Sequence, residues 1–252
     1  MPGLIKTSNP ALNANTFENR FAIGSEAMTL QGTVNKTGLL LFCAAATAAW
    51  TWWLARTQPA AVALCLWGGL VGALVFALVT IFKKEWAPVT APIYALCEGL
   101  ALGGISVFLN QVYPGVALQA LGLTGAVTAV MLLLYTSGLI RATPKFTLGV
   151  VAATGGIFLF YIIDFVMGFF GHHLSLLYSN GPWGIAISVF IVIIAALNLI
   201  LDFDFVETGV YAGAAKYMEW YGAFGIMVTL VWMYIEILHL LANIRSQRAP
   251  AT

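Results

Sequence analysis

Four acidic positions lie in or at the edge of long apolar runs: Glu98, Asp164, Asp202 (with Asp204 a step further out) and Glu236. All eleven Lys and Arg residues fall outside those runs. An ionised acid at mid-bilayer costs about 2.5–3.5 kcal/mol or more, and no base from the apolar cores can offset it. Three solutions remain. An acid can keep its proton, because desolvation disfavours the charge. Two acids can share one proton, since neighbouring like charges do not both ionise cheaply. Or the acids can bind a cation from solution. Each solution couples the site to H⁺ or to a metal ion.

Glu236 has the sharpest signal. It sits in Trp232-Met233-Tyr234-Ile235-Glu236-Ile237-Leu238-His239, deep in the last apolar run. A polar residue there is a functional candidate by default, set against a neutral acid bonded to a backbone carbonyl. His239, one helical turn on, is either its partner or an interfacial histidine. Asp202 directly follows the unbroken run 191–201. It can approach the depth of Glu236 only if the sixth helix continues past it toward Val210. Asp204 and Glu207 read as solvated acids at a helix end. Glu98 adjoins Gly99 and Gly103, a GxxxG pair that admits a close neighbour helix, so its carboxyl points at protein rather than lipid. Gly68 and Gly72 repeat that spacing. Asp164, toward the far end of the fifth run, reads as an interfacial acid, with cation entry as the alternative. His172 and His173 in the following loop make a weak metal signal.

The elements that must carry these acids are membrane spans. The chain is 61% hydrophobic and 8% charged, against about 25% charged in a soluble domain. An all-α integral membrane protein fits. A span needs about 20 apolar residues, and seven runs qualify: 37–55, 59–82, 93–112, 116–140, 146–170, about 184–205 and about 225–244. Trp50, Trp52 and Trp53 close the first at interfacial depth, and Pro88 and Pro92 open the third. Residues 1–35 form a polar arm, 36–244 one membrane domain and 245–252 a short tail. In the arm, Asn15 or Thr16 could cap a short helix through Phe17 and Phe21. The arm has no apolar core, so no cleaved leader is expected. Cys43, Cys65 and Cys97 lie within apolar runs as packing residues.

Basic residues set the orientation. Lys6, Arg20, Lys36, Lys83, Lys84, Arg141, Lys145 and Lys216 fall on one side, eight in all, and Arg56, Arg245 and Arg248 on the other. The N-terminus is then expected in the cytoplasm. If the last run only dips in and returns, Arg245 and Arg248 join the first group.

Several motifs are missing. No phosphate-binding loop, no HExxH and no serine-protease signature occurs, so no enzyme and no cofactor is expected. The net charge of +1 argues against nucleic acid.

Five stretches together resemble the Bax inhibitor-1 (transmembrane BAX inhibitor motif) family in its bacterial branch. They are Met28-Thr-Leu-Gln-Gly-Thr-Val-Asn-Lys-Thr37, Glu98-Gly99-Leu-Ala-Leu-Gly103, Leu201-Asp202-Phe203-Asp204-Phe205, Tyr221-Gly-Ala-Phe-Gly225 and Trp232-Met-Tyr-Ile-Glu-Ile-Leu238. The resemblance implies six helices around a central seventh, in a bacterial inner membrane. It also implies a pH-sensitive calcium leak, gated by a carboxylate pair late in the sixth helix and in the seventh. Mapped here the pair is Asp202 and Glu236, which are also the candidate Ca²⁺ ligands. A basic latch near the end of the second helix maps to Lys83 or Lys84. Glu98, Asp204, Asp164 and His239 are candidates for the ion path. This chain departs from the family in having glutamate as the second acid and a long connector containing Lys216-Tyr217-Met218-Glu219. The expected partners are the bilayer, Ca²⁺ and H⁺. A proton-coupled solute transporter, or a membrane scaffold or protease-modulating protein, is the alternative.

Overall fold

A computed structural model describes residues 27–171 and 182–248. The expected arm helix at Asn15–Phe21 and the His172-His173 loop lie outside them. Among the described residues seven helices follow one another: α1 Leu30–Thr57, α2 Pro59–Phe82, α3 Ala87–Val112, α4 Val116–Thr136, α5 Pro144–Phe169, α6 Pro182–Tyr211 and α7 Met218–Arg248. A 3-10 turn, Lys84–Trp86, links α2 to α3. All seven are long and apolar enough to span a bilayer.

Local chemistry explains the ends. The Thr29 hydroxyl caps α1 by accepting from Gly32 N at 3.0 Å, and Thr143 caps α5 in the same way. Pro59 and Pro144 each occupy a first helical position, where the missing N–H costs nothing. Gly115, at φ 83°, makes the left-handed turn between α3 and α4 that a side chain would resist.

Several helices differ from the apolar runs, α3 starting at Ala87 and α4 stopping at Thr136 among them. α1 begins at Leu30, α6 runs on to Tyr211, and α7 begins at Met218. Hydropathy stops where polar residues begin. These helices continue through Glu207 and Glu219 because neighbouring elements supply those carboxylates with partners. Pro92, expected at the opening of the third span, lies inside α3.

α7 is central and the most enclosed helix. It packs on α1, α3, α4 and α6, while α2 lies outside against α3 and α5 outside against α6. Its 31 residues reach about 46 Å, longer than the ~30 Å hydrocarbon core. It does not turn back: Arg245 donates to Pro114 O at 3.0 Å and to Gln119 Oε1 at 2.9 Å, in the α3–α4 region. Arg245 therefore belongs with Arg56 at the end opposite Lys36, Lys84 and Lys216, and the re-entrant alternative for the last run is set aside.

Small residues allow the close packing that replaces a hydrophobic driving force in lipid. An added Cβ on Gly99 would stand 2.7 Å from Ala44 Cα, and one on Gly103 would stand 2.9 Å from Ala48 Cα. The expected GxxxG face is thus the α1–α3 contact. On α2 the pattern is shifted. Gly69 and Gly72 press on Cys97 of α3, while Gly68 faces open space. Thr80 and Thr90 join α2 to α3 through a buried hydroxyl pair at 2.7 Å. The outward faces, with Leu64, Leu118 and Phe165 exposed, present hydrocarbon to the surroundings.

Candidate functional site

Glu236 is 4% exposed and lies between α7 and α5. Its Oε1 accepts from the Tyr161 hydroxyl at 2.5 Å and from Trp232 Nε1, one turn back, at 3.3 Å. Its Oε2 is buried with no hydrogen-bond partner among the described residues. His239 follows one helical turn on along α7. The polar surroundings of Glu236 are thus built from α5 and α7. Tyr161 and Trp232 supply them, and the sequence reading had not assigned either a role.

Asp202 is 1% exposed, enclosed on α6 among Leu199, Leu201 and Phe205. The sixth helix does continue past it, as its depth required. The register with α7 follows from two contacts. Ser188 accepts from Asn243 Nδ2 at 3.5 Å, and an added Cβ on Gly222 would stand 3.1 Å from Val206. Facing residues on the two antiparallel helices thus total about 430, which puts Asp202 level with residues 226–229 of α7. Glu236 lies seven to ten residues further along, about 10–15 Å at 1.5 Å per residue. The two acids occupy different depths of one interface. Because α7 starts at Met218 rather than Gly225, Glu236 sits deeper than a short seventh helix would place it.

Asp164, five residues from the end of α5, is 6% exposed, its side chain buried against protein. It follows Tyr161 by three residues and shares its side of α5. The Tyr161 hydroxyl thus stands on the helix face that carries Asp164 and bonds the carboxyl of Glu236.

Asp204 and Glu207 are not solvated helix-end acids. Both are half-buried, and Glu207 accepts a hydrogen bond from the Tyr135 hydroxyl of α4. The Tyr135 ring packs against Phe203 at 5.7 Å. The extra turns of α6 bring these acids under α4. Glu98 is half-buried beside Tyr94, and Tyr94 meets Phe224 of α7 edge-on at 5.0 Å. Of the two latch candidates, Lys83 is exposed, while Lys84 lies over the Tyr221 ring at 5.6 Å. Tyr221 is fifteen residues before Glu236, about 22 Å along α7, so Lys84 belongs to the Asp202 end of the interface.

The sequence reading missed Glu219. It is 0% exposed, yet it is a charged hub. Lys36 of α1 pairs with its Oε2, and Lys216 pairs with its Oε1 at 3.2 Å. Thr29 donates to Oε1 from its N–H at 2.8 Å and from its hydroxyl at 2.7 Å. Met28 N donates to Ala214 O at 2.7 Å beside it, so the start of α1 is bound to the α6–α7 connector. A carboxylate in the first turn of α7 also suits the helix dipole. The signal was present in Met28–Thr37 and in Lys216–Glu219, but a seventh helix beginning at Gly225 left Glu219 in a loop.

Among the described residues no three His, Cys, Asp or Glu side chains converge. Asp202 and Glu236, at different depths, do not form the many-oxygen cage that a resident Ca²⁺ takes.

The family described as Bax inhibitor 1 like matches residues 9–246. The chain belongs to that family. The match spans all seven helices of this Bax inhibitor 1 like protein, including both connectors around α6. With its seven spanning helices, the protein is an integral membrane protein. No curated protein and no solved structure matches the chain.

Proposed function

We propose that this Bax inhibitor 1 like protein is a proton-sensitive leak for calcium across a bacterial inner membrane, with its Lys36 end in the cytoplasm. The observation that carries the reading is Glu236. It is an acid buried in the central helix, held on one oxygen by Tyr161 and Trp232, with its second oxygen unbonded among the described residues. The Lys and Arg side chains lie outside the apolar cores, so a proton, a passing cation or His239 is what offsets the charge.

The acids act as separate stations on the α6–α7 interface. Glu236 works near the Arg245 end with Tyr161 and His239. Asp202 works toward the Lys84 end. Gaining or losing a proton at Glu236 changes what Tyr161 and Trp232 hold, and so shifts the balance between two positions of α7. One pKa unit corresponds to about 1.4 kcal/mol, enough to re-weight states a few kcal/mol apart.

The test is Ca²⁺ flux in liposomes carrying the purified full chain. Flux should depend on pH and lose that dependence in Glu236→Gln. Flux that ignores pH in the native chain and is unchanged by Glu236→Gln overturns the reading. Saturable solute uptake driven by a pH gradient, without calcium movement, replaces the leak with a transporter.

A further inference from the structure

α1 packs on α2, α3 and α7, and α4 packs on α3, α6 and α7. Between α1 and α4 a cleft of about 820 Å³ opens, floored by Met227, Leu230, Val231 and Tyr234 of the central helix. Its volume falls in the range of about 300–1,000 Å³ of small-molecule sites. Along α4 it extends from Ala117 to Ala129, about 18 Å, against ~15 Å for one leaflet of a ~30 Å hydrocarbon core.

The hydroxyl groups and the Asn110 amide oxygen of the wall are spent on the protein. The Ser106 and Tyr234 hydroxyls bond each other at 2.7 Å. Thr124 and Thr128 donate back to carbonyls of their own helix, and Asn110 Oδ1 accepts from Gly115 N at 2.8 Å. What the cleft offers an occupant is hydrocarbon. The Arg56 end of the cleft is different. Arg56 lies one turn beyond Trp52, a wall residue of α1, on the same helix face. Arg245 anchors on Pro114 O and Gln119 Oε1, next to the wall residues Ala117 and Leu118. Both partners of Arg245 are neutral, and neither arginine is ion-paired among the described residues. Two uncancelled guanidinium groups therefore flank an apolar slot one leaflet deep. A phosphate is the anion their fork geometry suits.

We infer that this cleft is a lipid site: an acyl chain of an anionic phospholipid lies between α1 and α4, with its phosphate at Arg56 and Arg245. The chain rests on the central helix beside Tyr234, so the surrounding membrane touches the helix that carries Glu236. The site stands whether or not the protein conducts calcium.

Gly125 supplies the test. It lines the cleft, and an added Cβ there meets nothing within 4 Å. Gly125→Trp therefore starts from open space at its Cβ and sets its ring in the slot. Gly122 on the same helix is equally open but does not line the cleft, so Gly122→Trp is the control for folding. The measurement is native mass spectrometry of the full chain extracted in mild detergent, with the retained lipid identified after release. One phospholipid per chain is expected, anionic species over zwitterionic. Gly125→Trp should lower its retention about tenfold, or ~1.4 kcal/mol, while Gly122→Trp retains it. Arg56→Gln with Arg245→Gln should erase the preference for anionic headgroups. Equal retention in the two tryptophan variants, or no bound lipid in the native chain, overturns the inference. A lipid-free dimer that dissociates in Gly125→Trp also overturns it and assigns the slot to a second copy.

Discussion

The Tyr161 hydroxyl donates to Glu236 Oε1 at 2.5 Å across the boundary between an outer helix and the central one. α5 packs mainly on α6, so this bond is a polar thread by which α5 reaches α7. It places a titratable group of the central helix under the control of a helix outside the main bundle.

Tyr161→Phe keeps the ring and removes that donor. Glu236 Oε1 then depends on Trp232 alone, and a buried acceptor that loses a partner costs about 1–3 kcal/mol. At about 2–4 °C per kcal/mol for a chain of this size, the melting temperature in detergent should fall by several degrees. The pH midpoint of calcium flux should move as well. Tyr234→Phe is the comparison, because the Tyr234 hydroxyl bonds Ser106 rather than an acid. It should lower stability without moving the midpoint. A midpoint that moves equally in both variants removes Tyr161 from the sensing site.

The depths of Asp202 and Glu236 make a second prediction. Groups that share one proton are strongly non-additive when neutralised together. Groups two or more helical turns apart add within about 0.5 kcal/mol. Asp202→Asn and Glu236→Gln should therefore shift the pH midpoint of flux independently, and the double variant should show the sum. A double variant no different from Glu236→Gln alone would restore the shared-proton pair.

The seven spans were legible because each is a run of the right length with its turn chemistry at the ends. Glu236 was legible because one acid interrupts such a run. What hydropathy could not show was continuation. α6 carries Glu207, and α7 carries Glu219, as ordinary helical residues, because Tyr135, Lys36 and Thr29 come from distant parts of the chain to receive them. The depth of Glu236 relative to Asp202 depends on those added turns, so the pairing could not be judged before the helix ends were known. Gly68 and Gly69 show the same limit in packing. Both are apolar-span glycines, and only the rotation of α2 about its axis decides that Gly69 is the one that meets Cys97.

That rotation is testable. Gly99→Ala forces α1 and α3 apart, since the new Cβ would stand 2.7 Å from a backbone carbon of Ala44. Overpacking of this kind costs about 1–3 kcal/mol, which should appear as a lower melting temperature. Gly68→Ala meets open space and gains helix propensity of about 0.8–1.0 kcal/mol, so it should be neutral or stabilising. A destabilising Gly68→Ala beside a silent Gly69→Ala would reverse the assigned face of α2.

Glu219 makes the strongest stability prediction. Its carboxylate is fully enclosed, and its partners come from three places: Lys36 on α1, Lys216 on the connector and Thr29 at the cap of α1. Removing one member of a buried ion pair costs about 3–5 kcal/mol, because the other charge is left uncompensated, whereas replacing both with packed apolar groups is often near neutral. Lys36→Met should therefore be more damaging than an exposed lysine change such as Lys83→Met. Lys36→Met combined with Glu219→Gln should recover part of the loss. Lys216, half-exposed at the other oxygen, should matter less, because solvent already screens it. The cluster also holds the first residues of α1 against the start of α7, so Glu219→Ala should expose the segment near Met28. Limited proteolysis there, set against the unchanged α3–α4 turn at Pro114, separates a local release from global unfolding. If both sites are cut at the same rate, Glu219 supports the whole fold rather than clamping the start of α1 onto α7.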